Sequence, residues 1–309
     1  MKTYVWSGRQ DGDGQEHQRY HHLLAASGQA AEFTLIGFAC DEGVLRNGGR
    51  AGASEAPAAI RAALANMVPV GSPSVRDAGD VESAHDELDA AHGELAYAVA
   101  AALESGSTPI VLGGGHEVAF GSFSGLLKHQ QHNREEIPRI GIINLDAHFD
   151  LRGDELPSSG TPFLQAARAC RATGVAFHYM VLGIAQHANT QALFQTAERL
   201  KVRFIQDTDL QLGNIDLPAV LARIDDYLAT LDAIYLSVDM DVFPAAVAPG
   251  VSAPAPRGVP REIVETLFRH IVASGKVRVF DVAETNPRLD VDQRTAKLAA
   301  LLVHEFISA

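Results

Sequence analysis

Cysteine is scarce in this chain: Cys40 and Cys170 are the two thiols among 309 residues. Two are too few for a disulfide framework, and they lack a zinc-type spacing, so both are read as buried free thiols. Positive charge is also short. The chain has 25 lysines and arginines against 38 aspartates and glutamates, a formal net charge of -13. That balance argues against nucleic acid or an anionic membrane surface as partner. No apolar run reaches membrane-spanning length; the stretch from Ala84 to Leu103 is broken by Asp86, Glu87, Asp89 and Glu94. Met1 to Tyr20 is polar and holds no apolar signal core. Linkers, low-complexity tracts and repeats are missing too. The expectation is a cytoplasmic protein with one domain over 1–309, residues 1–30 serving as an arm or cover.

What is present is alternation of strands and helices. Hydrophobic residues make up 47% of the chain, enough for a sizeable core. Apolar runs predict strands at Glu32 to Cys40, Pro109 to Leu112, Arg139 to Leu145, Phe177 to Gly183, Val202 to Ile205, Ala233 to Val238 and Val277 to Val282. Helices are expected from Pro57 to about Met67, Ser83 to Leu103, after Gly115 to about His129, Thr190 to Leu200, Leu217 to Leu228, Arg261 to Ala273 and Asp290 to Phe306. Gly43 to Gly52 reads as a glycine-rich loop. Strand and helix in series imply an α/β fold, a mostly parallel sheet covered on both faces.

Open parallel sheets place their sites beyond the carboxyl ends of the strands. Four such ends carry polar groups: Gly113-Gly114-Gly115-His116-Glu117, Asp146-Ala147-His148-Phe149-Asp150, Ser237-Val238-Asp239-Met240-Asp241 and Glu284-Thr285-Asn286-Pro287. If the backbone past Leu145 stays extended, Asp146, His148 and Asp150 share one side, because strand side chains repeat with period 2. Four carboxylates in a partly desolvated pocket are prohibitive unless something offsets them. Two divalent cations do, with His116 and His148 completing their shells. Oxygen-rich ligands with some imidazole and no thiolate favour Mn²⁺, ahead of Zn²⁺, Fe²⁺ and Mg²⁺. Ions roughly 3.5–4 Å apart can lower the pKa of a shared water from about 15.7 toward ~7, which supplies a nucleophile.

Each piece has a plainer reading. The glycines could form an ordinary strand-to-helix turn, although no Gly-Lys-Ser/Thr follows to make a P-loop. Asp239 and Asp241 could be solvated loop acids and His148 a satisfied core histidine. Together, at successive strand ends, these readings require independent coincidences.

The motifs Gly-Gly-Gly-His, Asp-Ala-His-x-Asp and Ser-x-Asp-x-Asp, with Ala248 to Pro254 and Glu284 to Pro287, resemble the arginase, or ureohydrolase, superfamily. The resemblance runs from about Phe33 to the C-terminus. It implies a three-layer α/β/α sandwich, two Mn²⁺ ions per subunit and self-association into a homo-oligomer. By it, His116, Asp146, Asp150 and Asp239 would hold one ion, and Asp146, His148, Asp239 and Asp241 the other, with Asp146 and Asp239 bridging.

Within the superfamily, Gly121-Ser122, His148 to Arg152, Ser158 to Phe163 and Leu236 to Gly250 resemble the formiminoglutamase branch. Where arginases usually carry His-Gly-x-Pro, this chain has Ser159-Gly160-Thr161-Pro162, and where they carry Asp-Pro it has Phe243-Pro244. Both departures weigh against arginine as substrate. The resemblance implies hydrolysis of a small acidic amidine, N-formimino-L-glutamate, to L-glutamate and formamide. Asp150 would pass a proton to the leaving nitrogen and Glu284 would bind the cationic formimino nitrogens. The candidate carboxylate ligands are Arg152, Arg46, Arg50 and Arg288, since arginine offers bidentate, always-charged recognition. Agmatine, guanidinobutyrate or a related guanidino acid is the rival substrate class. A non-enzymatic sensor or scaffold with the same fold is the rival from another class.

Overall fold

Val, Ile and Leu dominate the runs that become strands, and their side chains point alternately to opposite faces, so a run apolar at every position suits a sheet covered on both sides. In the computed structural model, which describes residues 1–25, 29–82, 87–132 and 138–309, the chain begins β1 (Phe33–Ala39), α1 (Glu42–Arg46), α2 (Ala56–Ala65), β2 (Val75–Glu82), α3 (Leu88–Glu104), β3 (Thr108–Leu112), α4 (Val118–His132) and β4 (Ile140–Leu145). It continues α5 (Pro162–Thr173), β5 (Tyr179–Ile184), α6 (Gln191–Arg199), β6 (Arg203–Gln206), α7 (Leu217–Leu228), β7 (Ala233–Asp239), α8 (Arg261–Ala273), β8 (Val277–Ala283) and α9 (Arg294–Ile307).

The eight strands form one sheet in the order β2-β1-β3-β8-β7-β4-β5-β6, and every pairing is parallel. Alternation divides the core. Leu35, Ile143 and Leu145 face a layer containing Ile60, Ile224, Leu267 and Val303, from α2, α7, α8 and α9. Ile36 and Ile142 face the other layer, with Leu95, Leu126, Phe163 and Ala197 from α3, α4, α5 and α6. This is the expected α/β/α sandwich.

Three details differ from the sequence expectations. Strand β2 and helix α5 occupy stretches to which periodicity assigns no element, and the Gly43 to Gly52 stretch shares the short helix α1 rather than being all loop. The first four residues of the helix expected from Ser83 lie outside the described residues; the rest is α3.

Strand β2 reads Val-Arg-Asp-Ala-Gly-Asp-Val-Glu and sits at the edge of the sheet. Its acids are matched from α2 by Arg61, which is fully buried, with Nε 2.8 Å from Asp77 and Nη1 2.5 Å from Asp80. The N-terminal residues run along the same edge. Lys2 and Asp80 exchange both backbone hydrogen bonds, and the Trp6 indole donates to Asp77 at 2.6 Å. An edge strand bears unpaired backbone groups, and this arm covers part of them.

Candidate metal centre and cavity

The four polar strand ends meet because β3, β8, β7 and β4 are consecutive neighbours in the sheet. Gly114 lets the β3 end approach β1 closely, since a Cβ there would overlap the Cys40 carbonyl. Past β4 the backbone does not stay extended as expected. It turns: the Asp146 carboxylate accepts the His148 N–H at 2.6 Å, and Asp150 adopts a left-handed φ of 48°. The β7 end turns the same way, with Asp239 accepting the Asp241 N–H at 2.7 Å. Short Asx turns therefore bring the ligand-type side chains together. Glu284, at the end of β8, is also left-handed, with φ 64°. Both conformations are costly for residues other than glycine and cluster at functional sites.

Two groups of side chains result. His116, Asp146, Asp150 and Asp239 bring one ligand atom each within 4.8 Å of the others, and so do Asp146, His148 and Asp241. His116 Nδ1 lies 3.1 Å from Asp146, 2.9 Å from Asp150 and 3.0 Å from Asp239, while His148 Nδ1 lies 3.0 Å from Asp241 and 3.5 Å from Asp146. Asp146 thus belongs to both groups, as the resemblance implies. Asp239 joins the first group alone.

Donor chemistry fits metal. His116 Nδ1 is buried among three carboxylates yet makes no hydrogen bond, a costly state unless a cation takes its lone pair. Its other nitrogen, Nε2, is 3.0 Å from Ser237 Oγ, whose hydroxyl donates to Asp281 at 2.6 Å; the Tyr235 hydroxyl donates to the other Asp281 oxygen at 2.5 Å. With the Ser237 proton committed to Asp281, Ser237 accepts from His116, so Nε2 carries the ring proton and Nδ1 is free to ligate. Asn144 donates to Asp146 at 2.8 Å, and Asn189 holds the same loop through Phe149 N–H and the Ala147 carbonyl.

Without a cation the cluster holds protons instead. Burial pushes both imidazoles down, but the carboxylates around them outweigh it and push His116 and His148 well above the usual histidine value. Asp239 is pushed well above the carboxylate range by burial and then by Asp241 and Asp146. Asp146, although buried, is held below that range by the two imidazoles beside it.

Above the cluster lies a cavity of about 420 Å³ whose walls include Val44, Asn47, Gly49, Arg152, Ser159 and Ser252. Of the four candidate arginines, Arg50 and Arg152 line it. Arg152 is exposed and makes no side-chain hydrogen bond or ion pair among the described residues. Arg50 donates to the Val251 and Ser252 carbonyls at 2.8–3.1 Å. Arg46 pairs with Glu42 and Arg288 with Glu55, and neither contributes to the walls. Sequence reading did not single out Asn47, Asn189, Tyr235 or Asp281. Ser159 stood in a quoted motif without a role.

Residues 31–308 match the model of the Arginase family. The chain is 52% identical over 307 residues to a formimidoylglutamase of Aeromonas salmonicida, covering 97% of this chain and 96% of that one. It is 49% identical over 304 residues to a formimidoylglutamase of Ralstonia nicotianae, covering 97% and 93%. Among solved structures, a Trypanosoma cruzi formiminoglutamase with Mn²⁺ aligns with TM-score 0.79 and 26% identity over 94% of this chain and 97% of that one. A Bacillus subtilis formimidoylglutamase, at 23% identity, shares the fold with TM-score 0.83 over 97% and 95%.

Proposed function

This chain belongs to the arginase family, and we propose that within it the protein is a formimidoylglutamase, hydrolysing N-formimino-L-glutamate to L-glutamate and formamide. The likeness to formimidoylglutamases over nearly the whole chain carries this reading. The site supports it with two carboxylate–imidazole groups beneath a cavity lined by Arg152, which is unpaired among the described residues. The family is metal-dependent, and Mn²⁺ is our proposal for the pair of ions. His116, Asp146, Asp150 and Asp239 would hold one, and Asp146, His148 and Asp241 the other, with Asp146 common to both; the resemblance alone would share Asp239 as well. When bound, the ions supply a water that is nucleophilic near neutral pH.

The protein's own residues do the rest. The bond to be cleaved joins the formimino carbon to the glutamate nitrogen, which leaves as a neutral amine only if it gains a proton. Asp150 is our candidate to deliver it. It would take the proton that the attacking water gives up and pass it to the departing nitrogen, so that the carboxylate starts and ends the cycle unprotonated. Glu284 accepts the His116 N–H with Oε1 at 2.9 Å, and its second oxygen would bind the cationic formimino nitrogens. Burial, followed by the neighbouring Glu117, pushes Glu284 up to about 8; a bound cation reverses that cost. Arg152 would take a substrate carboxylate bidentately. Arg50 could add a distant charge, and Arg46 and Arg288 would need to leave their present partners to take part.

Product identity tests the reading. Formamide plus glutamate is expected; ammonia plus formylglutamate would contradict it, and urea from a guanidino panel without formiminoglutamate turnover would favour the rival ureohydrolase class.

A further inference from the structure

Beside Glu284, but outside the cavity wall, Asn286 is fully buried. Each of its polar groups is used. The amide donates to the Arg50 carbonyl at 3.1 Å and the Ala51 carbonyl at 3.0 Å, Oδ1 accepts the Arg288 N–H at 3.1 Å, and the backbone N–H donates to the Gly250 carbonyl at 2.6 Å. One residue therefore joins three stretches next to cavity wall: its side chain holds 50–51, its backbone N–H holds Gly250 just before the 252–253 wall, and it lies two residues beyond Glu284.

Two independent features show that this junction is built for close approach. Gly52 has φ 129°, and a Cβ there would overlap the Asn286 amide oxygen. Across the junction, Arg50 grips the Val251 and Ser252 carbonyls, and its own N–H donates to Ser252 Oγ at 2.8 Å. The glycine-rich wall is thus joined to the segment opposite it twice, directly by the Arg50 guanidinium and, beneath it, through Asn286, whose side-chain amide holds 50–51 while its backbone N–H holds Gly250. Loops carry binding residues, and their geometry must be fixed by whatever supports them.

We propose that Asn286 is a positioning residue for the substrate cavity: its amide sets the spacing between the glycine-rich wall and the Ser252 wall, and so governs substrate fit rather than bond cleavage. The proposal rests on the enzymatic reading above, but its test is separable. Wild type is first assayed on formiminoglutamate and on the guanidino panel; absence of formamide would end that reading whatever Asn286 does. The role of Asn286 is then judged on the substrate that wild type turns over. Asn286→Ala should raise KM about tenfold with kcat within about threefold of wild type, the pattern of lost uniform binding, and with metal content unchanged. Should that variant fail to fold, Asn286→Asp, which keeps the shape but loses both donors, carries the same measurement. In a double-mutant cycle with Arg50→Ala, the KM effects should be non-additive, because both residues act on one spacing. Lower thermal stability with unchanged KM, or additive effects in the cycle, would overturn the proposal.

Discussion

The imidazole of His116 and the carboxylate of Asp281 are joined by a single hydroxyl: Ser237 Oγ is 3.0 Å from His116 Nε2 and donates to Asp281 at 2.6 Å. All three are buried, so no solvent competes for these contacts. The chain thereby selects which nitrogen of His116 is bare. Asp281→Asn would leave the strand intact but replace a double acceptor by a group that also donates, scrambling the hydroxyl and hence the tautomer. Metal affinity should fall about 10–100-fold, the usual cost of an outer-shell change. Calorimetric titration with Mn²⁺ measures it; unchanged affinity would mean that the tautomer is fixed otherwise.

Removing a ligand should cost more than removing its support. Asp239→Ala takes an oxygen from the group around His116 Nδ1, leaving a buried site short of negative charge. The loss in metal affinity should exceed the roughly 100-fold limit of an outer-shell change, and activity should fall with it. Metal analysis beside turnover checks that the two decline together.

Arg152 gives the opposite signature. It lies at the cavity and, among the described residues, its side chain makes no hydrogen bond or ion pair, the metal groups included. Arg152→Ala should retain both ions and kcat while raising KM by roughly 10–100-fold, corresponding to the loss of a charged hydrogen bond of about 1.5–3 kcal/mol. Normal KM would remove Arg152 from the carboxylate site. Arg288→Ala, which breaks only the exposed pair with Glu55, should change KM little.

Metal binding should be coupled to protons. Surrounding carboxylates hold His116 and His148 protonated well above the ordinary histidine value in the metal-free protein, whereas a ligating imidazole must be neutral. Loading the pair should therefore release protons, and affinity should rise with pH across the neutral range. Titration in buffers of different ionisation enthalpy counts them. Chelation should also lower the melting temperature, since ions at about 100 times their Kd add ~2.7 kcal/mol to the folded state.

The metal residues were legible because ligand types repeat at short spacing after apolar runs, and parallel strands deliver such ends to one edge of the sheet. The turn that gathers them was not, since it depends on Asp146 and Asp239 capturing backbone N–H groups two residues on. Strand β2 was hidden for a different reason: Arg76, Asp77 and Asp80 interrupt its apolar pattern, and the buried Arg61 that compensates two of them comes from another element. Helix α5 carries a signal that reading passed over, with Pro162 at its start and Gly174 as its left-handed cap. Among the arginines, nearness in sequence to a motif was a poor guide, because a long side chain finds its partner in space; Arg46 and Arg288 found carboxylates outside the cavity. Asp281 escaped notice because one acid inside an apolar strand has no local pattern to mark it.

His92 gives the fold an acid weakness separate from the metals. It lies on α3, buried, with its ring stacked on Phe38 at 6.2 Å and edge-on to Phe120 at 5.4 Å. Burial lowers its value from 6.5 to about 4, and contact with the Glu117 backbone offsets only part of that. The unfolded chain therefore binds this proton more readily than the folded one. Its stability contribution is intact above pH 6.5, falls as pH drops through the interval to 4, and is lost below, a total of about 3 kcal/mol. Denaturant unfolding of the metal-free protein across that interval should show the slope, and His92→Phe should flatten it by removing the titrating group while keeping an aromatic ring between Phe38 and Phe120. An acid limb unaltered by the substitution would assign the loss to the carboxylates of the cluster instead.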